Sequence, residues 1–187
     1  MPERYMTDGA SLLERRRCWL RKLYGLIIFV VVTSLLGGCG LQRTSATSST
    51  NSVYSNPEYH ISLQYPSTWT ANNAYAPARY EGNNGFFQIS AFDGKDWTID
   101  QVAESDANHK LKPYGTTPSV VKSAIHGIDA RLIKPSDDQP KEQKEMAELI
   151  IKYPQPIQIN SYTYYYFVLW SDKNHIEQIA QTIKFIK

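Results

Sequence analysis

The sequence predicts an α+β fold: a mostly antiparallel sheet of six to eight strands with two main helices. Three observations predict it. Several segments alternate apolar and polar residues with a period of two, and two others space their apolar residues helically behind capping residues. The run Tyr162–Trp170 is apolar on both faces, which suits a central strand with helices covering it.

In chain order, the first element is an address. Arg15, Arg16, Arg17, Arg21 and Lys22 precede an apolar run from Leu23 to Leu36, followed by Gly37, Gly38 and Cys39. A basic segment, an apolar segment and small residues before a cleavage point form a secretory signal. The stretch Leu36-Gly37-Gly38-Cys39 resembles a bacterial lipobox. That resemblance implies that Leu36, Gly37 and Gly38 occupy the peptidase groove and that Cys39 takes a diacylglyceryl group and becomes the mature N-terminus. Two acyl chains hold a protein stably at a membrane, whereas one does so only reversibly. The competing reading is an uncleaved anchor, because the uncharged run continues to Leu41 and approaches the ~20 residues that span a bilayer. Both readings place the folded part outside the cytoplasm. Residues 1–38 are thus expected to be a signal peptide and residues 39–56, rich in Ser and Thr, a lipidated, flexible tether.

A single globular domain is expected over 57–187. Tyr59–Tyr65 alternates as a strand closed by Pro66, and Trp69 is expected to fold back on it. Thr70–Pro77 reads as irregular or as a short turn. Arg79–Glu81 begins a hairpin through Gly82-Asn83-Asn84-Gly85 into the strand Phe86–Phe92, which sets Phe87, Ile89 and Ala91 on one face. Thr98 and Gln101 form a capping box for a helix through Ile99, Val102, Ala103, Ala107 and Leu111, stopped by Pro113. Ser119–Ile125 and Ile128–Ile133 are separated by His126-Gly127, which suits a tight hairpin or a bulged bend. Pro140 opens a short helix over Lys141–Glu145, and Ala147–Tyr153 is a strand bounded by Pro154 and Pro156. Ile157–Ile159 then leads through Asn160-Ser161 into Tyr162–Trp170. Ser171 or Asp172 is expected to cap a last helix carrying Ile176, Ile179, Ala180 and Ile183, with Phe185 and Ile186 leaving its register to close the core edge.

Charge and cysteine content narrow the function. From Cys39 onward lie 14 of the 20 Lys+Arg and 15 of the 18 Asp+Glu, so the basic balance belongs to the leader. Nucleic-acid binding, which draws on phosphate neutralisation, is not expected. The two cysteines are Cys18 and Cys39. The folded domain therefore has no thiol for a disulfide, a nucleophile or a metal. His60, His109, His126 and His175 are dispersed, and no cofactor fingerprint, phosphate loop, Gly-x-Ser-x-Gly or His-Glu-x-x-His is present.

The order of Tyr59-His60-Ile61-Ser62-Leu63-Gln64-Tyr65-Pro66-Ser67-Thr68-Trp69, Phe86–Ser90 and Ile179–Ile186 resembles PsbP-like domains. Tyr153-Pro154-Gln155-Pro156 and Trp170–Ile176 add a likeness to free lipoproteins and to extracellular domains of BlaR-type sensor metallopeptidases in Gram-positive spore-formers. The resemblance implies an α/β/α sandwich of a family whose members bind proteins or support membrane complexes rather than catalyse a common reaction. The expected role is a non-catalytic binding, accessory or sensor domain, held to membrane lipid through Cys39 and meeting an envelope protein or small ligand. A structural assembly factor and a cell-wall hydrolase are the alternatives. Thirteen tyrosines and four tryptophans supply amphipathic contact area. Trp69, Tyr75 and Tyr80 are the candidate binding surface, since Tyr75 and Tyr80 lie where core periodicity fails.

Overall fold

A computed structural model describes residues 50–143 and 145–187. The signal residues Leu36, Gly37 and Gly38 and the lipidation residue Cys39 lie outside them. Ten strands are present among the described residues: β1 (Asn51–Asn56), β2 (Ile61–Pro66), β3 (Thr70–Asn72), β4 (Arg79–Gly82), β5 (Gly85–Phe92), β6 (Ser119–Ile125), β7 (Ile128–Lys134), β8 (Met146–Ile159), β9 (Tyr162–Asp172) and β10 (Lys184–Phe185). Helix α1 spans Ile99–Ala107 and helix α2 Ile176–Ala180, and a 3₁₀ turn covers Lys141–Gln143. The architecture is α+β with antiparallel pairing throughout, as expected; of the surplus strands β1, β3 and β10, the last two are only three and two residues long.

Two sheets form. Seven strands run in the order β3-β4-β5-β9-β8-β7-β6, and three in the order β1-β2-β10. β9 lies in the middle of the larger sheet because both of its faces are apolar. Tyr166 and Val168 turn to α1, where they meet Ile99, Val102, Ala103 and Ala107 along with Ile133 and Ile150. Phe167 and Leu169 turn the other way, into a core shared with Ile61 and Leu63 of β2 and with Ile176, Ile179 and Ile183. The large sheet is thus packed on one side by α1 and on the other by the small sheet and α2. Phe87 and Ile89 join the second core, as their alternation requires.

The local signals operate as expected at three places. Thr98 accepts from the Gln101 amide at 3.2 Å while the Gln101 side chain accepts from the Thr98 amide at 2.8 Å, closing the capping box of α1. His126 and Gly127, at φ 51° and 82°, take the left-handed conformations that a two-residue hairpin between β6 and β7 demands. The turn from β4 to β5 is equally tight, with Gly82 paired to Gly85. A Cβ at Gly85 would stand 2.1 Å from Asp172 Oδ2 and 2.8 Å from the Trp69 ring.

Six expectations are corrected. The tether does not extend to residue 56: Asn51–Asn56 is β1, paired along its length with β2, and Tyr54 is buried. Strand β2 begins at Ile61, because His60 turns at φ 53°. Part of the segment read as irregular pairs with β4 as β3, through Thr70, Ala71 and Asn72. Helix α1 stops at Ala107, capped by Asn108, and leaves Leu111 78% exposed. Strand β8 continues past Pro154 and Pro156, because its register shifts between Lys152 and Ile157 and prolines are tolerated at such irregularities. The last helix is also shorter than its apolar stripe suggests, and no side chain caps it. The candidate caps Ser171 and Asp172 finish β9 instead.

Candidate functional site

The aromatic surface expected from the sequence comes apart. Trp69 is 3% exposed; its indole N–H donates to Asn84 Oδ1 at 2.9 Å and its ring stacks 6.4 Å from Phe87. Tyr80 lies nearly parallel to Phe87 with ring centroids 5.1 Å apart and meets Tyr54 and Tyr65 edge-on. Both residues pack between the two sheets, Trp69 buried and Tyr80 half-buried. Tyr75 alone is exposed, with the Arg79 guanidinium 5.3 Å from its ring centre. Arg79 sits closer to Phe86, at 3.5 Å, so the exposed stack leans on the sheet.

Two polar constellations are buried. Asp172 takes the His175 Nδ1 at 2.8 Å, the Asn174 amide at 3.1 Å and the Phe86 amide at 3.2 Å. Trp69 covers the imidazole edge-on at 5.0 Å, and the neighbouring Ser171 hydroxyl donates to the Phe86 carbonyl at 2.6 Å. These bonds lock the end of β9 to the start of β5. Among the described residues, no group of three or more His, Cys, Asp and Glu could hold a metal.

The second constellation lies under α1. Glu148 on β8 is 1% exposed and accepts a short hydrogen bond from the Tyr114 hydroxyl through Oε2. Its other oxygen, Oε1, meets no N–H or O–H donor among the described residues. Its acidic neighbour is Asp106 of α1, and Trp170 stands opposite on β9. Two carboxyls can satisfy one another only while one retains a proton. Burial, then the Asp106 charge, pushes the Glu148 carboxyl up to about 8. Burial likewise raises Asp106, and burial with the Glu148 charge raises the Tyr114 phenol. Burial and the neighbouring carboxyl thus favour the protonated form of Glu148.

The open candidate site lies elsewhere, where β10 meets the irregularity in β8. β10 is held by the pairs Lys184 to Ser62 and Phe185 to Ile61, and the Ile186 amide donates to the His60 carbonyl at 2.9 Å. Tyr153 anchors the opposite wall: its hydroxyl donates to the Tyr59 carbonyl at 3.0 Å, and its ring is 5.4 Å from Phe185. Phe185 also packs edge-on against Phe167 at 6.2 Å. The ring forms a ridge with a hollow on each side. One, of about 490 Å³, is bounded by His60, Tyr153, Ile157, Ile186 and Lys187. The other, of about 400 Å³, is bounded by Ile125, His126, Ile128, Ile183 and Lys184. Pro154 and Phe185 border both. Their size falls within the ~300–1,000 Å³ of small-ligand pockets, and their walls are mainly apolar with few polar groups, as such pockets require.

The sequence did not single out these residues as a site, because they come from four separated segments. The available signal was that Phe185 and Ile186 leave the register of α2. The pair Pro154 and Pro156 offered another, since both interrupt a strand that nevertheless continues.

No family model and no curated protein matches this chain. Among solved structures it is similar to cyanobacterial PsbP (CyanoP) from Synechocystis sp. PCC 6803, with 13% identity and a TM-score of 0.42. That match covers 80% of this chain and 98% of the other. A likeness this distant assigns no activity, substrate or partner.

Proposed function

We propose that this chain is a lipid-anchored extracytoplasmic lipoprotein whose folded domain is a non-catalytic binding module. The observation that carries the binding role is the pair of apolar hollows around Phe185. They leave open surface beside a well-packed core, whereas the buried His–Asp pair and the buried carboxyls are occupied with holding strands and helix together. The anchoring role is supported by Leu36-Gly37-Gly38-Cys39 after a basic and apolar leader, with a Ser/Thr tether before β1. In this reading the acyl chains on Cys39 hold the module at the outer face of the cell membrane, where its occupant is encountered at a surface.

The full chain should fractionate with membranes and lose its first 38 residues, and its mass should include a diacylglyceryl group on Cys39. Cys39→Ala should abolish both the processing and the membrane retention. A Cys39→Ala chain that is still cut after Gly38 and equally retained contradicts the anchor.

A further inference from the structure

We propose that the groove formed by the two hollows around Phe185 binds an acyl chain bearing an anionic head group. The inference rests on the binding role proposed above and adds the chemistry of the occupant. Each hollow combines an apolar wall with one lysine and one histidine: Lys187 and His60 on one side of the ridge, Lys184 and His126 on the other. Among the described residues no Asp or Glu side chain lines either hollow. Lys184 and Lys187 make no ion pair among the described residues. The site thus offers apolar surface and unneutralised positive charge at the same mouth, which complements a ligand apolar at one end and negative at the other.

The remaining features disfavour a peptide. β10 is two residues long and cannot template an added strand of ordinary length. Around it, Pro154 and Pro156 lack the backbone N–H groups with which an extended peptide would pair. An acyl chain asks for no such partners. It needs a groove with a fixed floor, and Tyr153, Phe167 and the paired backbone of β10 hold the Phe185 ridge in place.

The test uses cells expressing the full chain and two photoactivatable probes of equal chain length, an alkyl carboxylate and the corresponding alkyl alcohol, each with a diazirine in the chain. Adducts are mapped by mass spectrometry. The carboxylate is expected to label the peptides containing Pro154 and Phe185 about five-fold more than the alcohol, the scale of one partly exposed ion pair. Lys184→Glu, at an exposed position, should remove that preference. Equal labelling by both probes overturns the anionic ligand and leaves the binding groove standing. Labelling of neither peptide by either probe overturns the groove as well.

Discussion

The domain should lose stability as pH rises from about 5 to about 8, and Glu148→Gln should remove most of that loss. Glu148 is buried under α1 beside Asp106, and its carboxyl is pushed from an ordinary 4.5 up to about 8. A raised carboxyl binds its proton more tightly in the folded state. Its contribution to stability is therefore complete below about 4.5 and is lost progressively as pH climbs through about 8. Holding a carboxylate at that site costs on the order of 5 kcal/mol once ionised, large beside the ~5–15 kcal/mol of a typical domain. Glutamine keeps the shape and the donor that the protonated acid supplies, and it does not titrate. Urea unfolding at pH 5, 6.5 and 8.5 gives the answer. Parallel pH slopes for the two proteins would show that Glu148 does not hold the proton.

Phe167→Ala should destabilise the domain by about 3–5 kcal/mol, through lost burial and the cavity left behind. The ring is fully buried near the centre of the larger sheet, between Ala91 on β5 and Ile151 on β8, with Tyr153 and Phe185 edge-on at 6.2 Å each. Few neighbours can move to fill the space, because two of them are themselves pinned: Tyr153 by its bond to Tyr59 and Phe185 by its pairing with Ile61. The urea midpoint should fall with an unchanged denaturant slope. A loss below 1 kcal/mol would mean that the central strand is not packed as described.

These two residues also mark what the chain discloses locally and what it conceals. Phe167 is legible because Tyr162–Trp170 is apolar on both faces, so its central place follows from periodicity. The capping box at Thr98, the turn at His126-Gly127 and the inward face of Phe87 and Ile89 are legible for the same reason: each is decided within a few neighbouring residues. Strand β1 is concealed because Tyr54 is its one buried side chain, and its order comes from pairing with β2. The continuation of β8 is concealed because a register shift absorbs two prolines. Asp172 resembles a helix cap in sequence, yet its carboxylate is spent on Phe86, Asn174 and His175. Trp69 and Tyr80 resemble surplus aromatics until β2, β4 and β5 are brought together around Phe87. The groove has no sequence motif, since His60, His126, Pro154 and Phe185 meet only after both sheets have formed.

Photocrosslinking from single sites in native membranes tests the binding role most directly. A benzophenone amino acid placed at His126 or Gln155, at the two hollows, is compared with one at Asn83, in the hairpin between β4 and β5. All three are exposed, so substitution there leaves the core intact. The groove predicts a discrete adduct from His126 and Gln155 and none from Asn83. An adduct from Asn83 with none from the two groove positions would contradict it.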